Sequence, residues 1–130
     1  TFAKNFESLT SQRYRDTRAG DRLNIMLHHP DSDLVVPVSA LSFGTIDQLY
    51  LSLRMAVSET VFNIKEKLPL ILDEPYAQYD DNRTENALKL ISELGKKQQV
   101  IIFTCKQREV EMIKELGLVD SCKICSLTQR

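Results

Sequence analysis

The spacing of apolar residues changes character near Ala40. Downstream, Ile46, Tyr50, Leu53, Val57, Val61 and Ile64 recur at steps of four, three, four, four and three. That period predicts a long amphipathic helix from Thr45 to about Lys67 with this stripe facing inward. Leu70 to Leu72 and Val100 to Phe103 are short apolar runs without polar alternation, the pattern of strands buried on both faces of a parallel sheet. Between them, Asn82 with Glu85 three residues on predicts a capped helix. Its inward face would be Ala87, Leu88, Ile91 and Leu94, and Gly95 would end it in a left-handed turn. Val110, Ile113 and Leu116, stopped by Gly117, predict a further helix, and Cys122 to Leu127 a last strand. Upstream, Phe2 to Leu9 reads as the end of a helix, and Tyr14 to Arg18, Leu23 to Leu27 and Leu34 to Val38 as short strands. Turn-rich Ala19-Gly20-Asp21 and His28-His29-Pro30-Asp31-Ser32-Asp33 separate them, so this part predicts a small antiparallel meander.

The expectation is an α/β chain of one lobe, with a helix end and β meander in 1–40 and helix, strand and crossover units in 41–130. Its 130 residues are enough for one core. A net charge of -1 creates no field that would draw the whole chain to nucleic acid or membrane. The first 22 residues lean basic, with Lys4, Arg13, Arg15, Arg18 and Arg22 against Glu7, Asp16 and Asp21. A solvated surface is the main reading there, and a weak nucleic-acid patch the alternative. Three cysteines, an odd count, argue for a reducing compartment, with the cytoplasm as the default. Cys122 and Cys125 have C-x-x-C spacing but no second pair, and His28 and His29 lie far back, so core strand positions are favoured over zinc. No apolar run approaches the roughly 20 residues of a membrane helix.

Two stretches carry chemistry. An apolar strand ending in Asp73 and Glu74 places two carboxylates at the carboxyl edge of a parallel sheet, where open α/β folds bind ligands. Adjacent strand residues point different ways, so one can face a magnesium shell and the other an attacking water. A surface acidic turn before Pro75 is the bland alternative. Ser42 and Gly44 precede the long helix, where the hydroxyl and backbone N–H groups point at a place the helix dipole favours for an anion. Ser42 as an ordinary N-cap is the alternative. No G-x-x-x-x-G-K-[ST] loop exists in the chain to cradle a nucleotide in cis.

Leu41-Ser42-Phe43-Gly44 with Gln48 resembles the signature motif of ABC-type ATPases, Leu70-Ile71-Leu72-Asp73-Glu74-Pro75 their Walker B strand, and Tyr79-Asp80 the end of the loop after it. Within that superfamily the chain is similar to the carboxyl-terminal half of the head in SMC-like proteins such as SbcC, and more closely to YhaN-type ATPases. Gly44 to Arg54 and Ile102-Phe103-Thr104-Cys105 suggest the latter. The resemblance implies the C-terminal lobe of a P-loop NTPase head in which two heads close around two ATP molecules. Ser42, Gly44 and Gln48 would contact the γ-phosphate bound to a partner head. On its own side Asp73 would support Mg2+, Glu74 would position water as the catalytic base, and Asp80 would lie at the seam. The implied partners are a Walker A lobe upstream in the same protein, a second head in a homodimer, and DNA through the complete protein, with no membrane.

Two departures from the family pattern qualify this. Where such heads carry a histidine that senses the γ-phosphate, this chain reads Thr104-Cys105-Lys106-Gln107, leaving Lys106 or Gln107 as possible sensors and slow hydrolysis as one outcome. Cys105 reads as a buried thiol at a strand end rather than a nucleophile. The Walker A lobe is absent, so the chain alone is expected neither to bind ATP tightly nor to hydrolyse it, and its start fits a cut where a coiled coil returns to the head. A non-catalytic docking module and, less favoured, a fragment of an ABC transporter's nucleotide-binding domain are the other readings.

Overall fold

The computed structural model describes residues 2–14, 17–19, 25–28, 30–32, 34–61 and 68–127, the side chains of Arg18, Ala19 and Val61 excepted. The expected strand positions at 15, 16, 23 and 24 and the helix end from 62 to 67, with Ile64, lie outside these residues. So do Gly20, Asp21, Arg22, His29 and Asp33.

Helix α1 (Phe2–Leu9) leads into an antiparallel sheet of order β1 (Arg18–Ala19), β2 (Ile25–His28) and β3 (Val35–Pro37), so the expected meander is present. Strand β2 alternates, with Ile25 and Leu27 inward and Met26 and His28 outward. That period-two pattern is what a half-covered strand requires. Phe6, Ile25, Leu27 and Leu49 form one small core, flanked by Phe2, Tyr14, Val36, Val38 and Leu41.

Helix α2 (Phe43–Val61), strand β4 (Leu70–Asp73), helix α3 (Asp81–Gly95), strand β5 (Val100–Phe103) and helix α4 (Gln107–Glu115) follow. Strands β4 and β5 pair in parallel, from Leu70 opposite Val100 to Asp73 opposite Phe103, with α3 as the crossover. The second core joins Leu9, Leu51, Met55, Leu72, Tyr76, Tyr79, Ala87, Leu88, Ile91 and Leu94. The inward face expected for α3 is therefore the observed one. Gly117, at φ 67°, closes α4 as expected. Leu118 N–H reaches Ile113 O at 3.0 Å and Gly117 N–H reaches Lys114 O at 3.1 Å, the paired closure that a left-handed residue permits after a helix.

Five expectations are corrected. The inward stripe of α2 is not the apolar one: Thr45, Gln48, Leu49, Leu51, Ser52, Met55, Ala56 and Ser58 are buried, while Tyr50 and Val57 are exposed and Ile46 and Leu53 only half-buried. The reason is position, because α2 contributes Leu49 to the first core and Leu51 and Met55 to the second, and so has no single inward side. The parallel pair is covered on one face only: Leu72 is buried, whereas Ile71 and Phe103 stay open. Helix α3 is capped by Asp80, not Asn82; its side chain accepts from Arg83 N–H at 2.8 Å, and the helix leaves Gly95 through a right-handed Lys96. Cys122 to Leu127 forms no strand; it follows a single 3-10 turn at Val119–Ser121 as exposed chain, since a strand gains stability only from a neighbour and none pairs with it among the described residues. All three cysteines are exposed, Cys105 included, contrary to the core positions expected. No described helix is long and apolar enough to cross a membrane.

Candidate functional site

Asp73 and Phe103 are register partners, as are Ile71 and Ile101, so alternation puts Asp73 on the open side of the strand pair with Ile71 and Phe103. Its exposed carboxylate has no hydrogen bond or ion pair among the described residues. Glu74 then leaves the strand abruptly. Its N–H still pairs with Phe103 O at 2.9 Å, but its φ of 44° is left-handed, a conformation that costs a side-chain-bearing residue energy. The turn aims the carboxylate across to the end of β5. There it accepts from Cys105 N–H and from the Thr104 hydroxyl, the latter at 3.3 Å.

These bonds set the charge of Glu74. The Cys105 backbone N–H, then the Cys105 thiol, hold its carboxyl below the usual carboxylate range against the opposing effect of burial, with Thr104 and lastly Lys106 adding less. These bonds favour the anionic carboxylate, which can accept a hydrogen bond from water and orient it. In return, the bond and charge of Glu74 push the Cys105 thiol up. Cys105 is a protonated donor there, not a nucleophile.

A loop from Glu74 to Asp80 joins this carboxylate to helix α3. Tyr76 and Tyr79 anchor it by burial, 5.8 Å apart between ring centroids. Burial, first of all, also raises both phenols, so neither ionises in the physiological range. From outside, Lys106 Nζ donates to Ala77 O at 3.2 Å, and Arg108 donates to Tyr79 O at 3.0 Å and to Tyr76 O at 3.3 Å.

At the start of α2, Ser42 acts as the N-cap. Its Oγ accepts weakly from Thr45 N–H at 3.4 Å and shares a hydrogen with Thr45 Oγ1 at 2.8 Å. Arg83 lies against this turn, with Nη2 3.4 Å from Thr45 Oγ1 and Nε 3.5 Å from Asp80 Oδ2. A Cβ built on Gly44 would stand 2.1 Å from Arg83 Nη1 and 3.0 Å from Gln78 O. Glycine leaves room here: a larger residue would require the Arg83 side chain to swing aside and the Gln78 carbonyl to give way. Gln48 points away from any surface: it is buried and donates to Leu9 O at 2.5 Å.

The expected residues thus fall into two groups. Asp73 and Glu74 meet at the end of the strand pair with Thr104, Cys105 and Lys106; Ser42, Gly44 and Asp80 meet at the α2 turn. Among the described residues no hydrogen bond or ion pair joins the two groups directly, and the Glu74 to Asp80 loop is what lies between them. Lys106 holds that loop, and Gln107 opens α4. Thr104, Arg83, Arg108 and Glu109 were missed; a hydroxyl directly after a strand and an adjacent Arg-Glu pair were the available signals. No cluster of three or more His, Cys, Asp or Glu able to hold a metal exists among the described residues, so Asp73 offers a single oxygen ligand rather than a complete site.

No family profile matches the chain. Over 109 residues it is 30% identical to the uncharacterized protein YhaN of Bacillus subtilis (strain 168), an alignment covering 82% of this chain and 11% of that protein. The chain therefore spans a small part of that relative's length. Among solved structures, the SMC head domain from Thermotoga maritima matches with a TM-score of 0.64 and 26% identity, covering 85% of this chain and 38% of that one. A structure described as the structural biochemistry of ATP-driven dimerization and DNA stimulated activation of SMC ATPases matches with a TM-score of 0.65 and 20% identity, over 85% of this chain and 71% of that one. The chain has the fold of part of an SMC ATPase head and resembles YhaN over most of its own length.

Proposed function

We propose that this chain is the signature and Walker B half of an SMC-like ATPase head, working within a longer protein whose heads dimerise on ATP. The reading is carried by one observation: an uncommitted Asp73 on the open side of β4, next to a Glu74 whose carboxylate is turned off the strand and held charged. The first suits a hard cation, which prefers carboxylate oxygen. The second suits a residue that orients water for phosphoryl transfer. Bound Mg-ATP would supply the electrophilic phosphorus and the charge neutralisation of the reaction.

In this mechanism Asp73 would help to hold the magnesium that comes with ATP, and Glu74 orients the attacking water. Ser42 and the N–H groups at the start of α2 face the γ-phosphate of a second head, and Asp80 lies at the seam beside them. Gln48, buried on Leu9, braces the turn rather than touching phosphate. Lys106 or Gln107 supplies the donor that a histidine gives elsewhere. The open apolar positions Ile71 and Phe103 on the sheet, and Tyr50 and Val57 on α2, are surfaces for the missing Walker A lobe of the same protein. This chain alone is expected to be inactive. A cytoplasmic setting in DNA maintenance follows the resemblance.

The test is Glu74→Gln in the complete protein. ATP turnover should fall at least about 100-fold while an ATP-dependent dimer accumulates in light scattering. Unchanged turnover would overturn the reading. The engagement of Ser42 by Thr45 favours, as a second reading, a docking module without catalysis; in that case Glu74→Gln alters neither turnover nor assembly.

A further inference from the structure

Glu109 is 2% exposed, and a carboxylate that deep is costly unless it is paired. It has two partners. Oε1 accepts from Arg108 Nη2 at 3.1 Å, and Oε2 accepts from the Thr104 hydroxyl at 3.1 Å. That same hydroxyl lies 3.3 Å from Glu74 Oε2 and accepts from Lys106 N–H at 3.1 Å. A hydroxyl has one hydrogen to give, so Thr104 is shared between the buried carboxylate and the one that faces the site. Arg108 in turn holds the Tyr76 and Tyr79 carbonyls and reaches Asp81 Oδ1 at 3.4 Å.

We propose that Arg108, Glu109 and Thr104 are positioning residues that tie the orientation of Glu74 to the placement of the loop ending at Asp80. One end of the chain of bonds is the carboxylate that orients water, and the other is the loop at the seam between heads. Displacing that loop moves Arg108, Arg108 draws Glu109 with it, and the Thr104 hydroxyl, anchored on Glu109, then loses its position against Glu74. Docking of a second head against Asp80 and Asp81 therefore sets the carboxylate for turnover. Nothing in a fold requirement alone calls for this arrangement, because an apolar residue at 109 would fill the same buried space without an ion to satisfy.

This inference rests on the ATPase reading, and the experiment separates the two. In the complete protein, steady-state ATP hydrolysis is measured for the wild type, Glu74→Gln, Glu109→Gln, Thr104→Val and Thr104→Ser, each at a temperature where circular dichroism shows it folded. Wild type without turnover, or Glu74→Gln with wild-type turnover, removes the ATPase reading and this inference with it. If Glu74→Gln is inactive, Glu109→Gln and Thr104→Val are expected to lower kcat about tenfold with KM for ATP within about twofold, because orientation of water is lost and nucleotide binding is not. Thr104→Ser, which keeps the hydroxyl, should restore kcat to within about threefold of wild type. Should Thr104→Val fail to fold, the isosteric Glu109→Gln carries the decision. A merely structural network would lower the melting temperature of these variants and leave kcat at the wild-type value, which overturns the proposal.

Discussion

The two faces of α2 reverse what a surface helix usually presents. Toward the cores it buries Thr45, Gln48, Ser52 and Ser58 among its apolar residues; toward the open side it shows Tyr50 and Val57. The buried polar groups are satisfied, Ser52 by Leu49 O at 2.6 Å, Gln48 by Leu9 O at 2.5 Å, and Ser58 by Gln98 Nε2 at 2.6 Å. Small hydroxyl residues allow close approach on two sides, and bonds within the helix for Ser52 and to Gln98 for Ser58 offset their desolvation cost. The exposed apolar face has no such account among the described residues. The inner face is finished, and the outer one is left open.

Substitutions can break or sharpen that contrast. The largest effect is expected from Met55→Ala on the inner face, which should cost about 2 to 5 kcal/mol in chemical denaturation of this chain because the cavity lies in the core shared with Leu72 and Ala87. Gln48→Ala should cost about 1 to 3 kcal/mol in the same assay by leaving Leu9 O without its buried donor. If it instead leaves stability alone and weakens nucleotide-dependent assembly of the complete protein, the brace assigned to Gln48 is wrong. Smallest of all should be Tyr50→Ser with Val57→Ser, within about 0.5 kcal/mol here. In the complete protein the same pair should lower the melting temperature clearly; an equal, negligible effect in both would mean that nothing covers the outer face.

The same contrast explains which parts of the molecule were legible in the sequence. Helix α3 faces one core, so its period of apolar residues named Ala87, Leu88, Ile91 and Leu94 correctly. Helix α2 touches two cores, and the strongest apolar stripe marked the side that faces neither. Gly117 stood alone at the end of α4, and its left-handed turn followed. At the start of α3, Asp80, Asp81 and Asn82 all suit a cap, and only the loop anchored by Tyr76 and Tyr79 decides for Asp80. In the site, Asp73 and Glu74 were legible because an apolar strand ends there. Thr104 and Glu109 were not, since their meaning arises when the end of β5 is laid beside the end of β4, thirty residues away along the chain between Glu74 and Thr104.

The left-handed backbone at Glu74 has a consequence for anyone improving this protein. Glycine would occupy φ 44° without strain, and asparagine with less, so by backbone strain alone glutamate is a poor choice at that position. Against that strain stand the bonds that its carboxylate accepts from Cys105 N–H and the Thr104 hydroxyl, which Glu74→Gly would lose. A screen ranked by thermal tolerance reads only the balance of that strain against those bonds at position 74, and is blind to the role proposed for the carboxylate.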